Sequence, residues 1–221
     1  MSKELVAKEL AKRIKNGEII GVGTGSTVDA CLVEIGKRVV AEKLALQVVP
    51  TSYGSAWKCQ ELGLAVLHRE FRGELAWGFD GADEVDPNRW LIKGKGGAML
   101  MEKILAAKCK QYVVVVDDSK LVTSLGLKCP VPVEVIPGAV TIVERGLAKI
   151  GAREVIMRKG TGIHGPVISE CGNIILDVTF AKIEQDLERQ IKSIVGVVES
   201  GLFIGYTTEV LVAGKDGVSS R

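Results

Sequence analysis

The residue types able to do chemistry in this chain fall in five short stretches. Asp80-Gly-Ala-Asp-Glu-Val-Asp86 sets four acids in seven residues, directly after the apolar run Leu75–Phe79. Asp80 therefore stands at the carboxyl end of an expected strand, where open α/β sheets build their sites. Four acids invite a calcium reading, but the spacing of an EF-hand loop is missing and the stretch runs into Pro87. A solvated acidic turn whose Asp side chains cap backbone groups is the plainer alternative. Glu102 is flanked by Met99, Leu100, Met101, Ile104 and Leu105, with Leu105 and Ala106 where a helical Lys partner would stand. Apolar flanks disfavour the charged carboxylate, as a general base often requires.

Positive charge comes from two loops. Lys93-Gly-Lys-Gly-Gly97 precedes a helix expected from about Ala98, a flexible cationic loop facing a helix start. Asp117-Asp-Ser-Lys120 follows the strand-like Tyr112–Val116, and Lys120 is either within reach of a phosphate or an ordinary surface lysine. The fifth stretch, Gly21-Val-Gly-Thr-Gly-Ser-Thr27, lies between an expected strand and an expected helix. Glycines there allow close backbone approach, and the N–H groups of a helix start attract an anion. The Gly-Lys-Ser/Thr of a nucleotide P-loop is absent. Serine replaces the third Gly or Ala of a dinucleotide fingerprint, and no acid ends the second strand at 48–52. A single phosphate fits better; a plain glycine turn with Ser26 as N-cap is the alternative.

The elements that must position these residues follow from periodicity. Residues 3–15 place Leu5, Val6, Leu10 and Ile14 on one helical face. Strands are expected at 18–22, 46–50, 64–67, 74–79 and 112–117, with helices at 28–40, 53–61 and 98–110. Short apolar strands alternating with helices predict a doubly wound, mostly parallel sheet. After Leu127 the rhythm changes. A strand at 131–136, made an edge by Pro132, leads to a helix at 141–150 and strands at 153–158 and 173–179. A helix at 183–194, with Ile183, Leu187, Ile191 and Ile194 on one face, precedes a strand at 197–203. That order, β-α-β-β-α-β, is a ferredoxin-like unit. A last strand at 207–213 is free to rejoin the first sheet. The expected organisation is an α/β catalytic domain of residues 1–127 and 202–221 with an inserted ferredoxin-like α+β domain of residues 128–201.

The 221 residues carry 29 Lys+Arg against 27 Asp+Glu, a net charge of +2. That balance excludes a nucleic-acid binder driven by bulk charge. No apolar stretch approaches the ~18–20 residues of a membrane span, and the first residues carry no apolar signal core. A cytoplasmic protein without membrane or nucleic-acid partners is expected. Cys31, Cys59, Cys109, Cys129 and Cys171 are odd in number and form no C-x-x-C, which reads as reduced thiols. Neither His68 nor His164 has a Cys or His close by, so no zinc site is expected. Carboxylates and lysines remain to carry the chemistry.

Taken in order, the Gly-Thr-Gly-Ser-Thr turn, the Asp-Gly-Ala-Asp-Glu loop, the Lys-Gly-x-Gly-Gly-Ala…Glu-Lys loop and helix, Asp-x-Ser-Lys and Pro-Val-Glu-Val-Ile-Pro resemble ribose-5-phosphate isomerases of the A type. Asn173-Ile-Ile-Leu-Asp and the Gly-Leu-Phe at 201–203 agree, and the resemblance spans nearly the whole chain. It implies interconversion of D-ribose 5-phosphate and D-ribulose 5-phosphate in the pentose phosphate pathway. No cofactor and no metal are implied, and the assembly would be a homodimer or homotetramer. The family's base falls on Glu102, its site aspartates on Asp80 and Asp83, its loop lysine on Lys93 and its later substrate lysine on Lys120. The substrate-binding turn falls on Thr24, Gly25, Ser26 and Thr27, and the binding stretches also take in Gly81, Ala82, Gly94 and Gly96. Lys95 departs from the pattern, standing where glycine is common; it touches substrate or faces solvent.

The residue chemistry agrees with this implication. Moving a carbonyl from C1 to C2 takes a proton off C2 and returns one to C1 through an enediolate, which one carboxylate placed over both carbons performs. Two other readings compete. Acyl-CoA transfer on a related scaffold would put a thioester on Glu102. A sugar-phosphate sensor would bind without turnover, but there is no room for a DNA-binding helix-turn-helix before Glu18.

Overall fold

The computed structural model describes residues 2–162 and 164–221. Met1, in the leader reading, lies outside the described residues, whereas His164, weighed as a metal ligand, is described and exposed. The chain opens with α1 (Ser2–Ala11), β1 (Ile19–Val22), α2 (Ser26–Glu42), β2 (Gln47–Pro50), α3 (Tyr53–Glu61), β3 (Ala65–Val66) and β4 (Leu75–Asp80). Then come β5 (Glu84–Val85), β6 (Leu91–Ile92), α4 (Met99–Lys108), β7 (Cys109–Asp117) and a 3-10 turn, Asp118–Lys120. The later chain forms β8 (Val131–Val135), α5 (Val140–Lys149), β9 (Ala152–Met157), β10 (Ile174–Phe180), α6 (Leu187–Lys192) and β11 (Val197–Ser200). It closes with β12 (Leu202–Phe203), β13 (Glu209–Gly214) and β14 (Gly217–Ser220).

The chain divides into two compact units. One comprises Met1–Ala82, Met101–Leu121 and Tyr206–Arg221, and the other Asp83–Leu100 and Val122–Gly205. This division differs from an insertion at 128–201. The segments 83–100 and 122–127 go with the second unit because β5 and β6 pair with β12, and Val122 N–H donates to the Val85 carbonyl at 2.9 Å.

The first unit is built on a seven-stranded sheet in the order β14-β13-β7-β4-β1-β2-β3, parallel except for β14. Its strands read as apolar runs because helices cover both faces. Val6, Leu10 and Ile14 of the first helix and its following turn pack with Val28, Leu32 and Ile35 of α2 against Ile20, Phe79, Val113 and Val115. Leu5, expected on the same face, is 43% exposed, because it lies about 100° round the helix from Val6, which with Leu10 sets the buried stripe. On another side Leu105 of α4 packs with Val49 and Leu75. Strands β1 and β4 are neighbours although β2 and β3 come between them in sequence, so the chain reverses direction across the sheet there. The carboxyl ends of those two strands form the switch point at which such sheets bind ligands.

The second unit holds an antiparallel sheet in the order β11-β8-β10-β9, the ferredoxin-like arrangement of β-α-β-β-α-β. Val133, Val135, Leu176 and Val178 meet Val143 and Leu147 of α5 and Leu187 and Ile191 of α6 in its core. Three expectations are corrected here. First, β8 is an inner strand, not an edge. The Pro132 ring is accommodated because Gly201 lies where β11 ends: a Cβ on Gly201 would sit 2.7 Å from Pro132 Cδ. Second, the strand expected at 197–203 is two strands in two sheets, β11 on β8 and β12 on β6, broken at Gly201. Third, the last helix begins at Leu187 rather than 183, and Ile183 instead packs near Gly126.

Candidate active site

The glycines of the 21–27 turn do two different jobs. A Cβ on Gly21 would strike Leu105 of α4, and one on Gly23 would overlap the Asp80 carboxylate, so both are small to admit neighbouring side chains. Gly25 alone meets no atom and has φ 127°, a conformation an L side chain resists. Close backbone approach to a ligand is thus confined to Gly25, which caps α2 and is exposed. Ser26 is not the N-cap; it is the first residue of α2. The hydroxyl of Thr24 is engaged with those of Thr51 and Ser52, both at 2.8 Å, which ties the turn to the start of α3.

Asp80 closes β4, fully buried, and its carboxylate gathers donors from several segments. Oδ1 accepts the N–H of Thr24 at 3.1 Å and of Gly81 at 2.7 Å, and Oδ2 accepts the Tyr112 hydroxyl at 3.1 Å. Tyr112 lies on β7, and its phenol is pushed well above its ordinary pKa, first by burial and then by the charges of Asp80 and Glu102. The phenol therefore stays protonated and is the donor in its bond to Asp80. Glu102, in the first turn of α4, is 3% exposed, and its neighbour Lys103 lies over the Tyr206 ring at 5.8 Å.

An anion-ready place lies at the start of α2, where the first-turn N–H groups have no intrahelical acceptor. Ser26 is exposed and Thr27 half-buried there. Lys3 Nζ donates to Ser26 Oγ at 2.7 Å. Burial raises the Asp117 carboxyl, but bonds from Ser119 and then the charges of Lys120 and Lys3 leave it below its ordinary value. Lys3 and Lys120 are thus both close enough to act on one carboxylate. Sequence reasoning missed Lys3, which stands among several lysines of an amphipathic helix and carries no local signal.

In the second unit, Asp83 is half-buried; its N–H donates to the Ile92 carbonyl at 2.8 Å and its Oδ2 accepts the Lys95 N–H at 3.2 Å. Lys93 follows β6, 3% exposed, with its ammonium 5.6 Å from the centre of the Phe203 ring. Gly94 is buried with φ 102°, while Lys95 and Gly96 are exposed. The other two acids of the 80–86 stretch are structural. Glu84, fully buried, accepts N–H bonds from Gly126 at 2.6 Å, Cys129 at 2.8 Å and Lys128. Asp86 accepts the N–H of Asn88 and of Trp90, both at 2.9 Å. Sequence reasoning missed Glu84 because its partners lie some forty residues away in the chain. Among the described residues no three His, Cys, Asp or Glu side chains gather to hold a metal ion, and no helix is long and apolar enough to cross a membrane.

These features define an α/β protein whose parallel sheet carries a buried carboxylate, Asp80, at a switch point, beside a helix start furnished with lysines. The chain matches the family ribose 5-phosphate isomerase A (phosphoriboisomerase A) over residues 47–217. The ribose-5-phosphate isomerase A of Synechococcus sp. is 43% identical over 97% of this chain and 94% of its own. That of Methanocaldococcus jannaschii is 44% identical over 97% and 95%. A solved M. jannaschii ribose 5-phosphate isomerase A superimposes with a TM-score of 0.95 at 41% identity, covering 100% of this chain and 97% of the other. A D-ribose-5-phosphate isomerase solved with phospho-erythronic acid gives 0.96 at 36% identity, with the same coverage. The chain belongs to the ribose 5-phosphate isomerase A family.

Proposed function

We propose that this chain interconverts D-ribose 5-phosphate and D-ribulose 5-phosphate through an enediolate, with Glu102 moving the proton between C2 and C1. The observation that carries this reading is a pair of buried carboxylates in the first unit, Asp80 bonded by the Tyr112 hydroxyl at 3.1 Å and Glu102 in the first turn of α4, in a chain of the ribose 5-phosphate isomerase A family. In the forward direction Glu102 takes the C2 proton, the C1 carbonyl electrons move to O1, and the enediolate forms. Return of the proton to C1 leaves the carbonyl at C2. Asp80, held by its donors, handles hydroxyl protons during ring opening and transfer between O1 and O2; Asp83 shares that work. Lys93 supplies positive charge to the developing oxyanion, a type of interaction worth about 10²–10³ in rate. The α2 start with Ser26, Thr27, Lys3 and Lys120 takes the phosphate, whose remote binding energy orients the sugar.

Phospho-erythronic acid, present in the solved relative, joins a carboxylate to a phosphate, the charge pattern of a sugar-phosphate enediolate. It is expected to inhibit this chain competitively. The scheme calls on carboxylates and lysines only, so turnover is expected to survive excess EDTA. Ketose formation by Glu102→Gln should fall at least about 10²-fold in kcat. Full activity in that variant removes Glu102 from the role, and tight binding with no turnover in the wild type would make the chain a sensor. Lys3→Ala and Lys120→Ala should each raise KM more than they lower kcat; a KM left unchanged by both would move the phosphate elsewhere.

A further inference from the structure

Resting on that reading, the loop carrying Lys93 needs a fixed shape, and its backbone bonds show what fixes it. Lys93 N–H donates to the Gly201 carbonyl at 2.8 Å, Lys95 N–H to Asp83 Oδ2 at 3.2 Å, and Gly97 N–H back to the Gly94 carbonyl at 3.1 Å. The Gly97 carbonyl accepts the N–H of Glu170 at 3.0 Å. The carbonyls of Gly94 and Lys95, at the turn itself, both accept from one side chain: Arg158 Nη1 lies 2.8 Å from the first and 3.1 Å from the second. Arg158 is itself held. Its Nε and Nη2 make a two-point bond to Asp177, at 2.9 and 2.5 Å, with both side chains mostly buried.

We infer that Arg158, anchored by Asp177, is a positioning residue for the 93–97 loop, holding the backbone from which Lys93 and the Asp83 contact are presented. The guanidinium suits this task because its planar fork spends one edge on the carboxylate and leaves the remaining nitrogen for two carbonyls. An ammonium has no such fixed geometry. The flexible glycines at 94, 96 and 97 make an outside restraint necessary, since Gly loses more freedom on ordering than any other residue. Arg158 stands at the end of β9 and Asp177 on β10, so this gives the ferredoxin-like sheet a part in catalysis beyond its own stability.

The test compares wild type with Arg158→Lys, Arg158→Ala and Asp177→Asn in the full chain, by steady-state kinetics and by limited trypsin digestion read by mass spectrometry. Lys95 is an exposed trypsin site whose cleavage depends on how firmly its backbone is held. The expected result is kcat lowered about 10-fold or more in both Arg158 variants, with KM changed less than about 3-fold. Cleavage after Lys95 should rise at least tenfold relative to cleavage after Lys149, and added guanidinium should restore part of the kcat of Arg158→Ala. Variants that lose thermal stability while kcat and the cleavage ratio stay at wild-type values overturn the inference, as does a higher cleavage ratio with kcat unchanged. Lys93→Ala, measured alongside, separates the two levels: full activity there removes the reading of Lys93 on which the positioning role rests.

Discussion

Asp80 accepts bonds from a turn, from its own following residue and from a neighbouring strand. Such a carboxylate cannot swing without leaving buried donors unmatched, which costs about 1–3 kcal/mol each. Tyr112→Phe keeps the ring that fills the core and deletes one donor. It should lower kcat about 10-fold with little change in KM, and lower stability by about 1–3 kcal/mol. Unaltered kcat would show that this bond does not orient Asp80. Asp80 and Glu102 were legible because each stands out locally, one as an acid closing an apolar run, the other as a carboxylate in an apolar helix. Lys3, Tyr112 and Arg158 were not, since their partners lie far off in the chain and nothing beside them in sequence marks them; Glu84 stood in a marked acidic stretch, but its structural role rests on partners some forty residues away. The thiols follow the same divide: burial pushes Cys31, Cys59 and Cys109 up to about 12, whereas Cys171 is exposed.

At the scale of elements, α1 and β13 are joined by an ion pair. Arg13, just past α1, meets Glu209 on β13 through two bonds at 2.7 and 2.6 Å, and Ser220 of β14 adds a third at 2.6 Å. The Arg13 bond, against the opposing effect of burial, holds the Glu209 carboxyl down at about 2. A depressed carboxylate stabilises the fold above its unfolded value, and this contribution is lost as pH falls toward about 2. The pair is only partly buried and open to solvent screening, so it is worth about 1 kcal/mol or less. Urea unfolding of wild type and Glu209→Gln should therefore differ at neutral pH and converge by about pH 2; a constant difference would point to packing instead. The alternation of strands and helices made the parallel sheet legible, and the β-α-β-β-α-β order did the same for the antiparallel one. Pro132 misled because the rule that places proline at edges is local, while the gap that accepts its ring is made by Gly201. The two-residue strands β5, β6 and β12 escaped notice because such short segments show no periodicity.

For the whole molecule, neither unit is a continuous stretch, since the chain changes unit after Ala82, Leu100, Leu121 and Gly205. Strand β7 lies between β4 and β13, and its buried Val113–Val116 depends on a partner that comes only after all of the second unit. Deleting residues 209–221 should expose that apolar edge and send the protein into aggregates, while deleting 215–221 should leave a soluble, less heat-resistant chain. Equal solubility of the two truncations, by size-exclusion chromatography, would show that β7 needs no such cover. During synthesis the same arrangement acts as a timer. At about 5–20 residues per second, a ribosome leaves β7 without its second neighbour for on the order of ten seconds. For that interval the nascent chain presents a bare valine-rich edge, a place where a chaperone can bind and a neighbouring nascent chain can add itself as a strand.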